Sequence, residues 1–162
     1  MRILGIDPGI ATIGFSILQT SGNKYSLINC GVITTPAHTA LSDRLCTIYD
    51  DLMQIIETYK PEVVAIEELF FNTNITTGIS VAHGRGVVLL ACRKAGLTIH
   101  EYTPLQVKDA VVGYGRADKK QVQSMVKMIL GLAEVPKPDD TADAVAAAIC
   151  HGHHSGSKIP RG

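Results

Sequence analysis

The chain opens on short apolar, β-rich runs and then changes to a helical spacing. "RILGID", Arg2 to Asp7, is a short apolar run ending on a carboxylate, and Pro8 holds Asp7 in extended backbone. Gly9 permits the turn that follows. "TIGFSILQ" and "YSLINCGVIT", Tyr25 to Thr34, are rich in β-branched and aromatic residues and are separated by "TSGNK", a turn composition. Three successive strands with tight connections predict an antiparallel meander. From Leu41 to Tyr59 the spacing changes: Leu41, Leu45, Ile48, Leu52, Ile55 and Ile56 recur in steps of three and four, one face of an amphipathic helix closed by Pro61.

"EVVAIE" then reads as a strand buried on both faces, ending at Glu67 or Glu68. "FFNTNITTG" has loop composition, the small-residue stretch to about Ala95 a helical one, and "LTIHEY" makes a fifth strand. "TPLQVKDAVVG" and "DKKQVQSMVKMILG" predict two short helices, each stopped by glycine. A last helix is expected from about Asp140 to Cys150, with the polar, glycine-rich "HGHHSGSKIPRG" poorly ordered. Strand and helix alternate in this second half, so its strands should pair in parallel. No repeat or low-complexity tract divides the chain. The expected organisation is one domain over residues 1–152 and a flexible tail over 153–162.

At 162 residues, 46% of them apolar, the chain can build one core. No unbroken apolar run approaches the roughly eighteen residues of a membrane span, and the N-terminus has no signal-peptide pattern. A cytoplasmic protein without a membrane partner is expected. Cys30, Cys46, Cys92 and Cys150 are scattered, with no C-x-x-C pair, and read as small core residues. The formal net charge is zero, but the basic residues are segregated: Arg85 to Lys127 holds eight against three acidic ones. Such clustering suits a polyanion better than the total does.

The acids carry the candidate chemistry. Asp7 ends the first strand, Glu67 or Glu68 the fourth, and Asp139, Asp140 and Asp143 open the last helix in "KPDDTADAVAAAICH". Strand ends and helix starts are where ligand sites of open sheets gather. Asp140 and Asp143, three apart, share a helix face, as do Asp139 and Asp143, four apart; spacing does not choose between the pairs. Clustered carboxylates raise one another's pKa unless a cation neutralises them, and oxygen-only ligands favour magnesium or manganese over zinc. Two such ions ~4 Å apart can activate water on one side of a phosphodiester and stabilise the leaving oxygen on the other. Taken singly, each acid has a plainer role, as a helix cap, a turn residue or a solvated strand end; Asp139 fits the cap best.

"GIDPGIATIGFSIL", "VAIEELFFNTN", "GRGV", "QVKDAVVGYGRADKKQVQSMV" and "DDTADAVAAAICH", in this order, resemble the RuvC family of Holliday-junction resolvases over nearly the whole chain, from Ile3 to about His151. The resemblance implies an α/β RNase H-like fold, whose five-stranded mixed sheet has three antiparallel and then two parallel strands, flanked by helices. It implies that Asp7, Glu67, Asp140 and Asp143 are the catalytic, metal-binding acids. Asp139 is an extra acid, and its replacement by Asn is expected to spare cleavage. The implied cofactor is Mg2+, two ions per site, with Mn2+ as a substitute. The implied reaction is paired symmetric nicking of a four-way DNA junction in recombination and repair, leaving 5′-phosphate and 3′-hydroxyl ends.

Implied partners are junction DNA, a second copy of the chain in a homodimer, and branch-migration proteins. Lys108 and Lys119 match positions the family uses near the scissile backbone; Lys120 ranks behind Lys119, and Arg85 heads the basic cluster. Phe70 aligns with the family's junction-probing aromatic, with Phe71 beside it and core packing the plainer role for one of the two. Gly78, Ala82, Gly84 and Gly86 make one helix small-sided, suited to a dimer contact or to packing on the sheet. The first strands also resemble the phosphate hairpin of actin-like ATPases, but 162 residues leave no room for the second domain those enzymes need. A catalytically dead DNA-binding module is disfavoured because all four acids are present.

Overall fold

The computed structural model describes residues 1–68 and 75–156. Its strands are β1 (Arg2–Asp7), β2 (Thr12–Ser21), β3 (Lys24–Thr34), β4 (Val63–Glu67) and β5 (Thr98–Tyr102). The helices are α1 (Leu41–Tyr59), α2 (Ile75–Lys94), α3 (Pro104–Val112), α4 (Lys119–Leu130) and α5 (Asp139–Gly156). The sheet order is β3-β2-β1-β4-β5. β1 pairs antiparallel with β2 and β2 with β3, whereas β4 lies parallel to β1 and β5 parallel to β4. Meander and parallel half therefore stand as their hydrophobic rhythms predict.

Alternation along the strands sorts the side chains into two cores. Leu4, Ile6, Val64 and Ile66 face α1 and α2, where they meet Ile48, Leu52, Val88 and Ala91. Ile3 and Ala65 face the other way and pack under α5, which is covered in turn by α3 and α4. Asp7 has the parity of Ile3 and Gly5, and Glu67 that of Val63 and Ala65. Both acids thus emerge on the α5 face, at neighbouring strand ends.

α5 is the central helix, buried from Thr141 to Gly152 except at Asp143, and its alanines let it lie close to the sheet. Two strand glycines permit that approach. A Cβ on Gly5 would fall well inside contact distance of the Ala144 carbonyl, and one on Gly14 would strike the backbone at Asp140. The buried Ser16 hydroxyl donates to Ala144 O at 3.0 Å, and Thr141 Oγ1 donates to Gly31 O at 3.3 Å. The first turns of α5 are fixed against β2 and β3 by these contacts.

Two element boundaries differ from those the pattern predicts. α2 begins at Ile75, so the last residues of "FFNTNITTG" are helical, not loop. α5 runs on through Gly156, taking in His153 and its neighbours, which the composition had placed in a flexible tail. Side-chain anchors explain this extension: Tyr102 Oη lies 2.7 Å from Nδ1 of the buried His151, whose ring stacks 4.3 Å from that of His100. Gly152, which looks like a helix stop, packs beneath the Tyr25 ring, leaving no room for a Cβ.

Cys92 and Cys150 are buried as expected, but Cys46 is exposed on α1 and is no core residue. By length and composition α2 would pass for a membrane span, which a search for an unbroken apolar run misses. It packs instead on α1 and β5 through Gly84, Val88, Ala91 and Cys92.

Candidate active site

Asp7 closes β1, and its ladder partner across β2 is Gly14. The backbone of Asp140 rests against Gly14, so the first turn of α5 arrives directly over the Asp7 carboxyl. Carboxylate oxygens of Asp7, Asp140 and Asp143 lie within 4.8 Å of one another, all three side chains half-buried. Glu67, one strand over, shares a cleft of about 200 Å3 with Asp143, Lys108 and Lys119, walled by Val107 and Val122. Four acids from three separated segments thus meet at the C-terminal ends of the neighbouring strands β1 and β4. The Asp140 and Asp143 pair, not Asp139 and Asp143, faces Asp7.

The electrostatics follow from that crowding. Burial, reinforced by Asp143 and by a hydrogen bond with the Asp140 carboxyl, pushes Asp7 from 3.8 up to about 8. Glu67 is raised by burial and by Asp143, against the pull of Lys108 and Lys119. Asp143 is also raised, chiefly by burial, although Lys119 draws it down. Near neutrality this burial and crowding favour a proton on Asp7. An all-oxygen set that retains a proton in this way fits a hard divalent cation such as Mg2+ or Mn2+.

The basic residues divide by position. Lys119, the first residue of α4, places Nζ 3.3 Å from Asp139 Oδ2 and 3.4 Å from Asp143 Oδ2. Asp118 fixes this turn as the N-cap of α4, in a capping box with Gln121. Lys108 lines the same cleft from α3, whose start is set by a capping box of Thr103 and Gln106. Lys120 turns to the opposite side of α4, toward Val112 and Met125. Arg85 pairs with Glu101 at 3.3 Å, its side chain only 11% exposed, a position inside the fold and not on an open groove.

Phe70 and Phe71 lie outside the described residues. Gly84 of the small-sided helix packs inward on the Gly9 carbonyl, while Gly86 is open to solvent. Asp139 does not behave as a simple cap: α5 starts at Asp139 itself, whose carboxylate binds Gln123 and Lys119 of α4. Sequence reading missed this contact and Gln123 altogether. The available signal was the i, i+4 spacing of Lys119 and Gln123 on α4, which matches that of Asp139 and Asp143 on α5.

Acids gathered at strand ends and at a helix start on this mixed sheet define a nuclease of the RNase H-like class. Residues 3–151 match the family model of the crossover junction endodeoxyribonuclease RuvC. A protein of that name from Heliobacterium modesticaldum is 58% identical over 153 residues, 94% of this chain and 94% of that one. The Thermus thermophilus RuvC structure superposes with a TM-score of 0.89 at 35% identity, covering 96% of this chain and 95% of that one. The T. thermophilus RuvC in complex with Holliday junction substrate gives 0.92 at 35% identity, covering 97% and 96%. This chain belongs to the RuvC family of crossover junction endodeoxyribonucleases.

Proposed function

We propose that the protein resolves four-way DNA junctions by paired, symmetric nicks, using Asp7, Glu67, Asp140 and Asp143 to hold two Mg2+ ions, for which Mn2+ substitutes. The observation that carries the reading is the meeting of Asp7, Asp140 and Asp143 oxygens within 4.8 Å, with Glu67 in the adjoining cleft. Held by these acids, such ions would supply an activated water and would offset charge on the departing 3′ oxygen, giving 5′-phosphate and 3′-hydroxyl ends. Asp7 gives up its proton on loading, and the three acids converge from rigid elements, so the site is preorganised before DNA arrives. Lys108 and Lys119 hold the scissile phosphate from the cleft wall. Lys120, on the far side of α4, contacts a neighbouring stretch of backbone, and Phe70 stacks on bases of the opened junction.

Symmetric nicking requires two such sites, and the second comes from a second copy of the chain. α2 supports this reading, because Ile75, Ile79 and Leu90 expose apolar side chains on its outer surface, where Gly86 permits close approach. Such a dimer works in the cytoplasm with the branch-migration proteins of the same repair pathway. Incubating the purified protein with a synthetic four-way junction and Mg2+ tests the function. Nicks in two strands of like polarity are expected; equal cutting of a linear duplex would remove the junction-specific part of the proposal.

A further inference from the structure

We propose that Asp139, held by Gln123, is a positioning residue that offers the Lys119 ammonium a second carboxylate, freeing Asp143 for a divalent cation. This inference rests on the reading of the acid cluster as a metal-dependent site and adds to it a residue that the resemblance leaves without a role.

Two helices face each other here in matching register. α4 presents Lys119 and Gln123, one turn apart, and α5 presents Asp139 and Asp143, also one turn apart. Gln123 Nε2 donates to Asp139 Oδ1 at 3.0 Å, while Lys119 Nζ sits 3.3 Å from Asp139 Oδ2. Both oxygens of Asp139 are therefore engaged from the same helix face, which orients the carboxylate. The same ammonium is 3.4 Å from Asp143 Oδ2, so it is shared almost evenly between an acid of the cluster and an acid outside it.

The two acids differ in their surroundings. Asp139 is exposed, and hydrogen bonds from Lys119 and Gln123 hold its carboxyl below the usual range, so it stays ionised. Asp143 is half-buried beside Asp7 and Asp140. Partial desolvation pulls Lys119 down, but the carboxylates of Asp143 and Asp139 outweigh it and keep the ammonium charged.

A cation entering the cluster competes with this ammonium for Asp143. Were Asp143 its only anionic partner, loading would strand a lysine charge beside the incoming ion. Asp139 lies within reach of the same Nζ, so the ammonium moves a fraction of its length and keeps a partner. It also stays at the mouth of the cleft lined by Glu67 and Lys108, where a substrate phosphate would lie. Exposed ion pairs add little to stability; the effect of this one is on location. Buried Val122 and Val126 keep α4 in place, so both its polar side chains project from a fixed helix.

A double-mutant cycle in two readouts decides the matter. Without DNA, Mn2+ affinity is measured by titration calorimetry for the parent, Asp139→Asn, Lys119→Ala and the double variant. Asp139→Asn is expected to weaken Mn2+ binding roughly three- to tenfold in the parent and less than about twofold in the Lys119→Ala background. In single-turnover cleavage, Asp139→Asn slows the rate several-fold with junction affinity unchanged, and Asp139→Glu restores part of the loss. Unchanged Mn2+ affinity in Asp139→Asn, or the same loss in both backgrounds, overturns the proposal, the second outcome marking a through-space charge effect independent of Lys119. Junction cleavage by the parent reports separately on the proposed function, since the Mn2+ cycle is read without DNA.

Discussion

Gly14 stands across the β1–β2 ladder from Asp7, and the space its missing side chain leaves is filled by the backbone of Asp140. Two of the four acids are thus brought together by a residue with no chemistry of its own. Gly14→Ala must push the start of α5 off the sheet, at a cost of about 1–3 kcal/mol for overpacking against backbone. A Tm lower by roughly 2–10 °C is expected for a chain of this size. Cleavage should fall more steeply than stability, because Asp140 moves relative to Asp7. A variant with parental activity and Tm would show that α5 does not depend on this contact.

Without metal, the fold should lose stability as pH rises. Asp7 is raised to about 8, so between about pH 4 and pH 8 the folded protein holds a proton that the unfolded chain has released. That contribution is full below about pH 4 and is lost as pH passes through about 8; Glu67 and Asp143, also raised, act with the same sign. Thermal melts in chelator should show a falling Tm across this range, flattened by Asp7→Asn. Mn2+ binding near pH 7 should release protons, seen as a calorimetric heat that varies with buffer ionisation enthalpy. A Tm that rises with pH in chelator would mean that Asp7 is ionised in the metal-free fold.

Lys108 faces Glu67 across the cleft and is proposed to meet a phosphate. Lys108→Ala should weaken junction binding at low salt and reduce the slope of log K against log salt by about one. Arg85→Ala should leave that slope unchanged, because its guanidinium is paired with Glu101. Fluorescence anisotropy over a salt series separates the two. Equal slope changes would place Arg85 on the DNA as well.

The outer face of α2 should hold the dimer together. Ile79 is 51% exposed and Leu90 56%, and neither is covered within one chain. Ile79→Glu and Leu90→Glu should each shift the protein from dimer to monomer in sedimentation velocity at micromolar concentration, with the helical signal in circular dichroism preserved. A parent that sediments as a monomer would remove the dimer from the account.

Much of this arrangement was legible in the sequence because it depends on parity and spacing. Once "RILGID" and "EVVAIE" are read as strands, the alternation of side-chain direction sets Asp7 and Glu67 on the same side of neighbouring strands. Helical spacing in turn puts Asp140 and Asp143 on one face. Spacing could not separate Asp140 from Asp139, since each shares a face with Asp143; the contact of Gly14 with the Asp140 backbone does so, and it is a relation between distant segments. The end of α5 was hidden for a similar reason. Gly152 signals a stop locally, whereas the Tyr102 to His151 hydrogen bond that sustains the helix joins residues 49 apart. Arg85, on α2, was read by its charge, but its partner Glu101 lies on a different element, β5.

The most direct measurement is single-turnover cleavage of a four-way junction by the parent and by Asp7→Asn, Glu67→Gln, Asp140→Asn and Asp143→Asn, each first shown to be folded and to bind the junction. Losing several kcal/mol of transition-state stabilisation with a metal ligand should slow every one of the four by about a hundredfold or more, while Asp139→Asn loses only a several-fold factor. Parental cleavage by any of the four, or a loss at Asp139 as deep as that at Asp140, would contradict the assignment of these carboxylates to the catalytic site.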